Sequence, residues 1–221
     1  MLQCWSGYIM ADLILALDVT DKKRAVTIAG MCSSHVDAIK IGYPLVLAAG
    51  LTIAHEIGKF NLPLIADFKV ADIPHTNTLI AEQVFEAGFT AIICQGFVGS
   101  DAVKACVESA HSHGGECLVV TEMSHPGATE FFRGGTAERI ARISVGCNAD
   151  GIIAPATRPD RVRCLREIVG NRKILSPGVG VQGGELGEIA GIVDGVIIGR
   201  AIYTAEDPAR AAREFSRNLQ I

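Results

Sequence analysis

The chain has 221 residues, 49% of them hydrophobic but only 5% aromatic, and a formal net charge of −4 with no block of five or more like charges. That length gives room for one domain, read here over residues 1–221, with a large core of Val, Ile, Leu and Ala. The charge excludes a polybasic membrane patch or a nucleic-acid groove as the chain's main feature.

The opening MLQCWSGYIM has neither a basic start nor a long apolar run, so no signal peptide is expected. No apolar run of 18 residues follows, so no membrane-spanning helix is expected either. Short apolar, β-branched runs then recur at Leu13–Val19, Ala38–Ile41, Leu62–Phe68, Ala91–Cys94, Cys117–Glu122, Gly151–Ala154, Lys173–Ser176 and Gly195–Ile198. Between them lie helical patterns. Asp101–Ala110 is one, and Pro159–Val169 is another, with Val162, Leu165 and Ile168 on one face. Strands alternating with helices imply parallel βαβ units, and eight such units close most simply into a barrel. An open doubly wound sheet would carry a Gly-x-Gly-x-x-Gly after its first strand, whereas here that strand runs into Leu17-Asp18-Val19-Thr20-Asp21. The expected fold is therefore α/β, a single (β/α)8 TIM barrel.

Cys4, Cys32, Cys94, Cys106, Cys117, Cys147 and Cys164 are odd in number, widely spaced and without a Cys-x-x-Cys pair. Buried reduced thiols explain them better than disulfides or a zinc site, which points to the cytoplasm. His111-x-His113 ahead of Gly114-Gly115 reads as the end of a helix, not a metal site. His125, in Ser-His-Pro, reads as a turn residue, and Met10, Met31 and Met123 as packing residues.

Barrel active sites lie where strands end, and polar residues and glycines gather there. Leu64–Asp72 (LIADFKVAD) is the most informative stretch. Asp67 and Lys69 share a face by strand alternation, and Lys40 closes the neighbouring strand. Alternating signs would let each charge stabilise the next, and carboxylates keep a lysine in its ammonium form. An ion-pair network at the barrel mouth would leave the same signature. Asp72-Ile73-Pro74 also resembles a helix start with Asp72 as N-cap. Residues 176–184, Ser-Pro-Gly-Val-Gly-Val-Gln-Gly-Gly, follow the seventh strand, and Gly199-Arg200 follows the eighth. Loops after these two strands commonly hold phosphate. Tight turns alone would also use such glycines.

These residues together resemble the orotidine 5'-monophosphate decarboxylase family in its short microbial form. The likeness rests on Leu15-Ala16-Leu17-Asp18, Ile39-Lys40-Ile41-Gly42, Asp67-Phe68-Lys69-Val70-Ala71-Asp72-Ile73-Pro74, residues 121–127 (TEMSHPG), residues 176–184 and Ile198-Gly199-Arg200. The resemblance implies a catalytic network of Lys40, Asp67, Lys69 and Asp72, with Lys69 as proton donor to C6 of the pyrimidine. It implies that Asp18 and Lys40 hold the ribose hydroxyls and that Ser124 meets the base. Pro177, Gly178, Val179, Gln182, Gly199 and Arg200 would surround the phosphate, and Arg158 would help latch a closing loop. It also implies a homodimer in which Asp72, Ile73 and Thr76 reach the partner's site, and chemistry with no cofactor or metal. Cys94-Gln95-Gly96-Phe97 departs from the His-Gly expected in many relatives.

Two other readings compete. The related 3-keto-L-gulonate 6-phosphate decarboxylases and hexulose 6-phosphate synthases share the Asp-x-Lys-x-x-Asp pattern but use magnesium. A non-catalytic phosphate-binding barrel would bind without turnover, and would give no reason for four charges at one rim.

Overall fold

Eight short parallel strands close on themselves in chain order in the computed structural model, which describes residues 11–180 and 182–219. They are β1 (Asp12–Ala16), β2 (Ala38–Gly42), β3 (Leu64–Val70), β4 (Ala91–Gln95), β5 (Glu116–Val120), β6 (Gly151–Ile153), β7 (Lys173–Pro177) and β8 (Gly195–Ile198). The ring shuts where Ile14 of β1 sits opposite Ile197 of β8. Cys4, Met10, Val181 and the expectation of no signal peptide fall outside the described residues.

The continuous apolar runs arise because both faces of each strand are buried. Inward-pointing Ile14, Ala38, Ile65, Ala91, Leu118, Leu175 and Ile197 belong to one cluster that fills the barrel. Their neighbours, such as Leu13, Ile39, Leu64, Ile92, Cys117 and Ile174, pack outward against the helices. Space inside is tight. A β-carbon on Gly195 would lie 2.8 Å from both Ile14 Cδ1 and Leu175 Cδ2, so that position is left without a side chain.

The helix after β1, Lys22–Cys32, starts on Asp21, whose side chain accepts from Arg24 N at 2.7 Å. The helix after β4, Ser100–Ser112, buries Ala102, Val103, Cys106, Val107 and Ala110, which matches its sequence pattern. The helix after β6, Pro159–Val169, differs slightly. Val162 and Leu165 are buried as expected, but Val169 rather than Ile168 completes the face.

Three further expectations change. Asp72 is not the N-cap of Pro74–Glu86; Ile73 occupies that position. The turn is closed from inside the helix by buried Asn77, whose Oδ1 accepts from Asp72 N at 3.0 Å. Met31 is 42% exposed and is not a core residue. The strand after Asp12 stops at Ala16, not Val19. Cys32, Cys94, Cys106 and Cys117 are buried free thiols, and Cys147 and Cys164 are half-buried free thiols. Among the described residues, no helix is long and apolar enough to cross a membrane.

Candidate active site

The C-terminal ends of the strands surround a cavity of about 330 Å³. Its floor is apolar and includes Ile93, Val120, Ile153 and Ile197. Charged residues cluster on one wall and glycines on the opposite one.

Lys40 reaches the charged wall from β2, 5% exposed, and Asp67 and Lys69 reach it from β3. Asp67 Oδ2 is 2.6 Å from Lys40 Nζ, and Oδ1 is 2.7 Å from Lys69 Nζ. Asp18 Oδ1 lies 3.7 Å from Lys40 on its other side. The charges therefore alternate as Asp18, Lys40, Asp67, Lys69. Burial works against the Lys40 ammonium, but Asp67 and Asp18 outweigh it and hold its pKa above the ordinary lysine value. Burial likewise opposes the Asp67 carboxylate, yet Lys40 and Lys69 hold its pKa below the usual range. The gradient of exposure matters for chemistry. Asp67 is 11% exposed at its side chain, whereas Lys69 is 37% exposed and opens into the cavity.

Lys69 is not placed by plain strand alternation. Its φ is +45°, and the β3–β4 register slips between Ala66 and Val70. A left-handed lysine costs roughly 1 kcal/mol, and such strain gathers at functional sites. The bulge turns Lys69 toward Asp67 and the cavity.

The fourth expected member of the network is elsewhere. Asp72 and Ile73 are exposed and Thr76 is half-buried, and none of the three lines the cavity of its own chain. Among the described residues, Asp72 Oδ1 accepts from the neighbouring Ile73 N alone, at 2.7 Å.

The third wall follows β5. Ser124 and His125 line the cavity, as does Met123. Glu122 is buried beneath them and accepts from Arg158 Nε at 2.7 Å and Arg161 Nε at 3.0 Å. Arg158 also donates to the Met123 carbonyl. Arg158 thus secures the β5 loop. Arg161 continues to Glu138 at 2.6 Å, and that hydrogen bond holds the Glu138 carboxyl down at about 2. Gln95 stands behind this wall, with Nε2 3.6 Å from Met123 Sδ. Its Oε1 is buried without a hydrogen-bond partner among the described residues.

Pro177, Gly178, Val179, Gln182, Gly199 and Arg200 all line the opposite side. The loop after β7 folds back on itself, with Gly184 N donating to Gly178 O at 3.0 Å. Gly178 has φ +103°, and a β-carbon there would lie 3.0 Å from Gln182 Oε1 and Thr157 Cγ2. Only glycine lets this loop close on itself and on the loop that carries Thr157. Neither Gln182 nor Arg200 has a side-chain hydrogen bond or ion pair among the described residues, so both are available to an anion.

Sequence reasoning thus located every cavity-lining residue it named for the ribose, base and phosphate. It missed Tyr203 and treated His125 as a turn residue, although both line the cavity. Tyr203 had only its spacing from Arg200 to mark it. The Glu122 network lies inside residues 121–127, but its partners are 36 and 39 residues away.

Comparison with known proteins shows the family and the fold. The model of the orotidine 5'-phosphate decarboxylase / HUMPS family matches residues 11–215. The orotidine 5'-phosphate decarboxylase of Methanosarcina barkeri is 54% identical over 210 residues, 94% of each chain. That of Methanocaldococcus jannaschii is 44% identical over 214 residues, 95% of this chain and 99% of its own. A crystal structure of the M. jannaschii enzyme complexed with the inhibitor BMP matches with a TM-score of 0.92 at 44% identity, covering 96% of this chain and all of that one. The enzyme from Pyrococcus horikoshii OT3 matches with a TM-score of 0.87 at 40% identity, covering 95% of this chain and 99% of that one.

Proposed function

This chain belongs to the orotidine 5'-phosphate decarboxylase / HUMPS family, and from that membership we propose that it converts orotidine 5'-monophosphate to uridine 5'-monophosphate, the last step of pyrimidine nucleotide synthesis, with Lys69 as its acid. The observation that carries the assignment of roles is the single cavity with an alternating charge array on one side and unpaired Gln182 and Arg200 on the other.

Loss of carbon dioxide leaves the electron pair of the broken bond on C6. That carbanion has little delocalisation, so the site must supply electrostatic stabilisation where the charge develops. The Lys69 ammonium stabilises the pair and then gives it a proton. Asp67 holds Lys69 in place, and Lys40 fixes Asp67 from behind. Asp18 and Lys40 take the ribose hydroxyls, and Ser124 takes the base. Gln182, Arg200 and the backbone around Gly178, Val179 and Gly199, with Pro177 beside them, hold the phosphate. Phosphate binding far from the reacting bond can drive closure around the substrate and raise the rate.

The reading needs no cofactor or metal. Both oxygens of Asp67 already meet lysine ammonium groups, a donor set poorly suited to the magnesium of the sugar-phosphate relatives. A second copy of the chain completes the site. Tyr43, Leu47, Ile73, Leu79, Phe97 and Phe131 are exposed apolar residues on the segments that follow β2 to β5. That apolar arc beside Asp72 supports a homodimer in which Asp72, Ile73 and Thr76 enter the partner's site. The free thiols support a reducing, cytoplasmic setting.

The test is the ultraviolet absorbance of orotidine 5'-monophosphate mixed with EDTA-treated protein. Loss of absorbance, with uridine 5'-monophosphate as product, is expected. Folded protein that acts only after magnesium is restored, or not at all on this nucleotide, would move the assignment to the sugar-phosphate relatives.

A further inference from the structure

The turn Arg200–Tyr203 carries a second polar side chain into the cavity. Residues three apart on a helical turn face the same way, and Arg200 and Tyr203 both line the cavity wall. The tyrosine is held at its ring and at its backbone. It lies against Gly199, where a β-carbon would come within 3.3 Å of Tyr203 Cε1. Its carbonyl accepts from Arg24 Nη2 at 3.2 Å, which ties the turn to the first helix. The charged groups around the phenol are Asp18, Arg200, Lys40 and Arg24. Asp18 belongs to the ribose end of the proposed substrate and Arg200 to the phosphate end, so the phenol stands at their junction. Among the described residues its hydroxyl has no hydrogen-bond partner. Burial, followed by the charge of Asp18, pushes the phenol above its ordinary value, so it stays a neutral donor at physiological pH.

We propose that Tyr203 is a substrate-binding residue whose hydroxyl donates a hydrogen bond to the 5'-phosphate alongside Arg200. A ribose hydroxyl already has Asp18 as acceptor and Lys40 as donor. The phosphate has more acceptor sites than the Arg200 fork and the Gln182 amide fill. The proposal rests on the nucleotide reading of the site.

The experiment compares Tyr203→Phe with the unaltered protein. Dissociation constants for uridine 5'-monophosphate and for uridine are measured by NMR titration, with orotidine 5'-monophosphate turnover run alongside. Phenylalanine keeps the ring against Gly199, so only the hydroxyl is removed. A hydrogen bond to a charged group predicts about tenfold weaker binding of the nucleotide and a change within about twofold for the nucleoside. Unchanged nucleotide binding, or equal weakening of both ligands, overturns the assignment to phosphate. Should the unaltered protein neither bind the nucleotide nor turn over its 6-carboxy substrate, the functional reading falls and the Tyr203 role falls with it.

Discussion

The two walls of the cavity solve opposite problems. On the β2–β3 wall every charge has its counter-charge in the same chain, at 2.6 and 2.7 Å around Asp67. On the β7–β8 wall the polar side chains Gln182 and Arg200 have no partner among the described residues, and glycines take the close approaches. The first wall is organised before substrate arrives, as electrostatic stabilisation of a short-lived carbanion requires. The second is left open for a dianion that supplies the missing charge. On the proposed function, the first wall carries the chemistry and the ribose contacts, and the second captures the phosphate.

Variants can break this division. Lys69→Ala removes the acid and the cation beside C6, so kcat should fall by at least about a thousandfold. Steady-state kinetics on orotidine 5'-monophosphate check this; retained turnover within about tenfold would remove Lys69 from its role. Asp72→Asn should lower activity by about a hundredfold, because a charged group would be lost from the partner's site. Mixing Asp72→Asn and Lys69→Ala protomers should raise activity above that of either variant alone, since some mixed dimers keep one intact site. Absence of rescue, with mixed dimers demonstrated, would place Asp72 outside the site. Arg200→Ala should lower kcat/KM by about a hundredfold through loss of a bidentate contact to phosphate. Gly178→Ala forces a β-carbon against Gln182 and Thr157 at positive φ, and should raise KM about tenfold with little change in kcat.

The smallest effect is in pH. The folded pKa of Asp67 is depressed, so its contribution to stability is complete above the unfolded carboxylate value near about 4. That contribution is lost as pH falls through the lower folded value. Lys40 is raised, so its contribution is complete below the unfolded value near about 10.4 and is lost as pH rises through the higher folded one. Asp67→Asn should therefore be less stable than the unaltered protein near neutrality, and the gap should narrow towards both the acid and the alkaline extreme. A gap that stays constant across the whole pH range, or that appears only at the extremes, would contradict the coupled pair.

Much of this was legible because the signals are local. Eight β-branched runs separated by amphipathic stretches fix a barrel, and strand ends place Asp67, Lys40 and Arg200 around one cavity. What escaped depends on tertiary context. No sequence pattern marks Lys69 for a left-handed backbone, since the β3–β4 register slip arises only when the strands pair. Asp72 looked like an N-cap from Asp-Ile-Pro alone, but Ile73 takes that position and Asn77, five residues on, accepts from Asp72 N. Glu122 finds its arginines at the start of the helix after β6, one at its N-cap and one in its first turn, and Tyr203 gains meaning only once Asp18 and Arg200 flank it.

The division of labour is tested most directly by calorimetric titration of uridine 5'-monophosphate into Lys69→Ala and Arg200→Ala. The account predicts that Lys69→Ala, though catalytically dead, binds the nucleotide within about tenfold of the unaltered protein, while Arg200→Ala binds it about a hundredfold more weakly. Equal losses of affinity in both variants would show that capture and chemistry share one set of residues, and would contradict it.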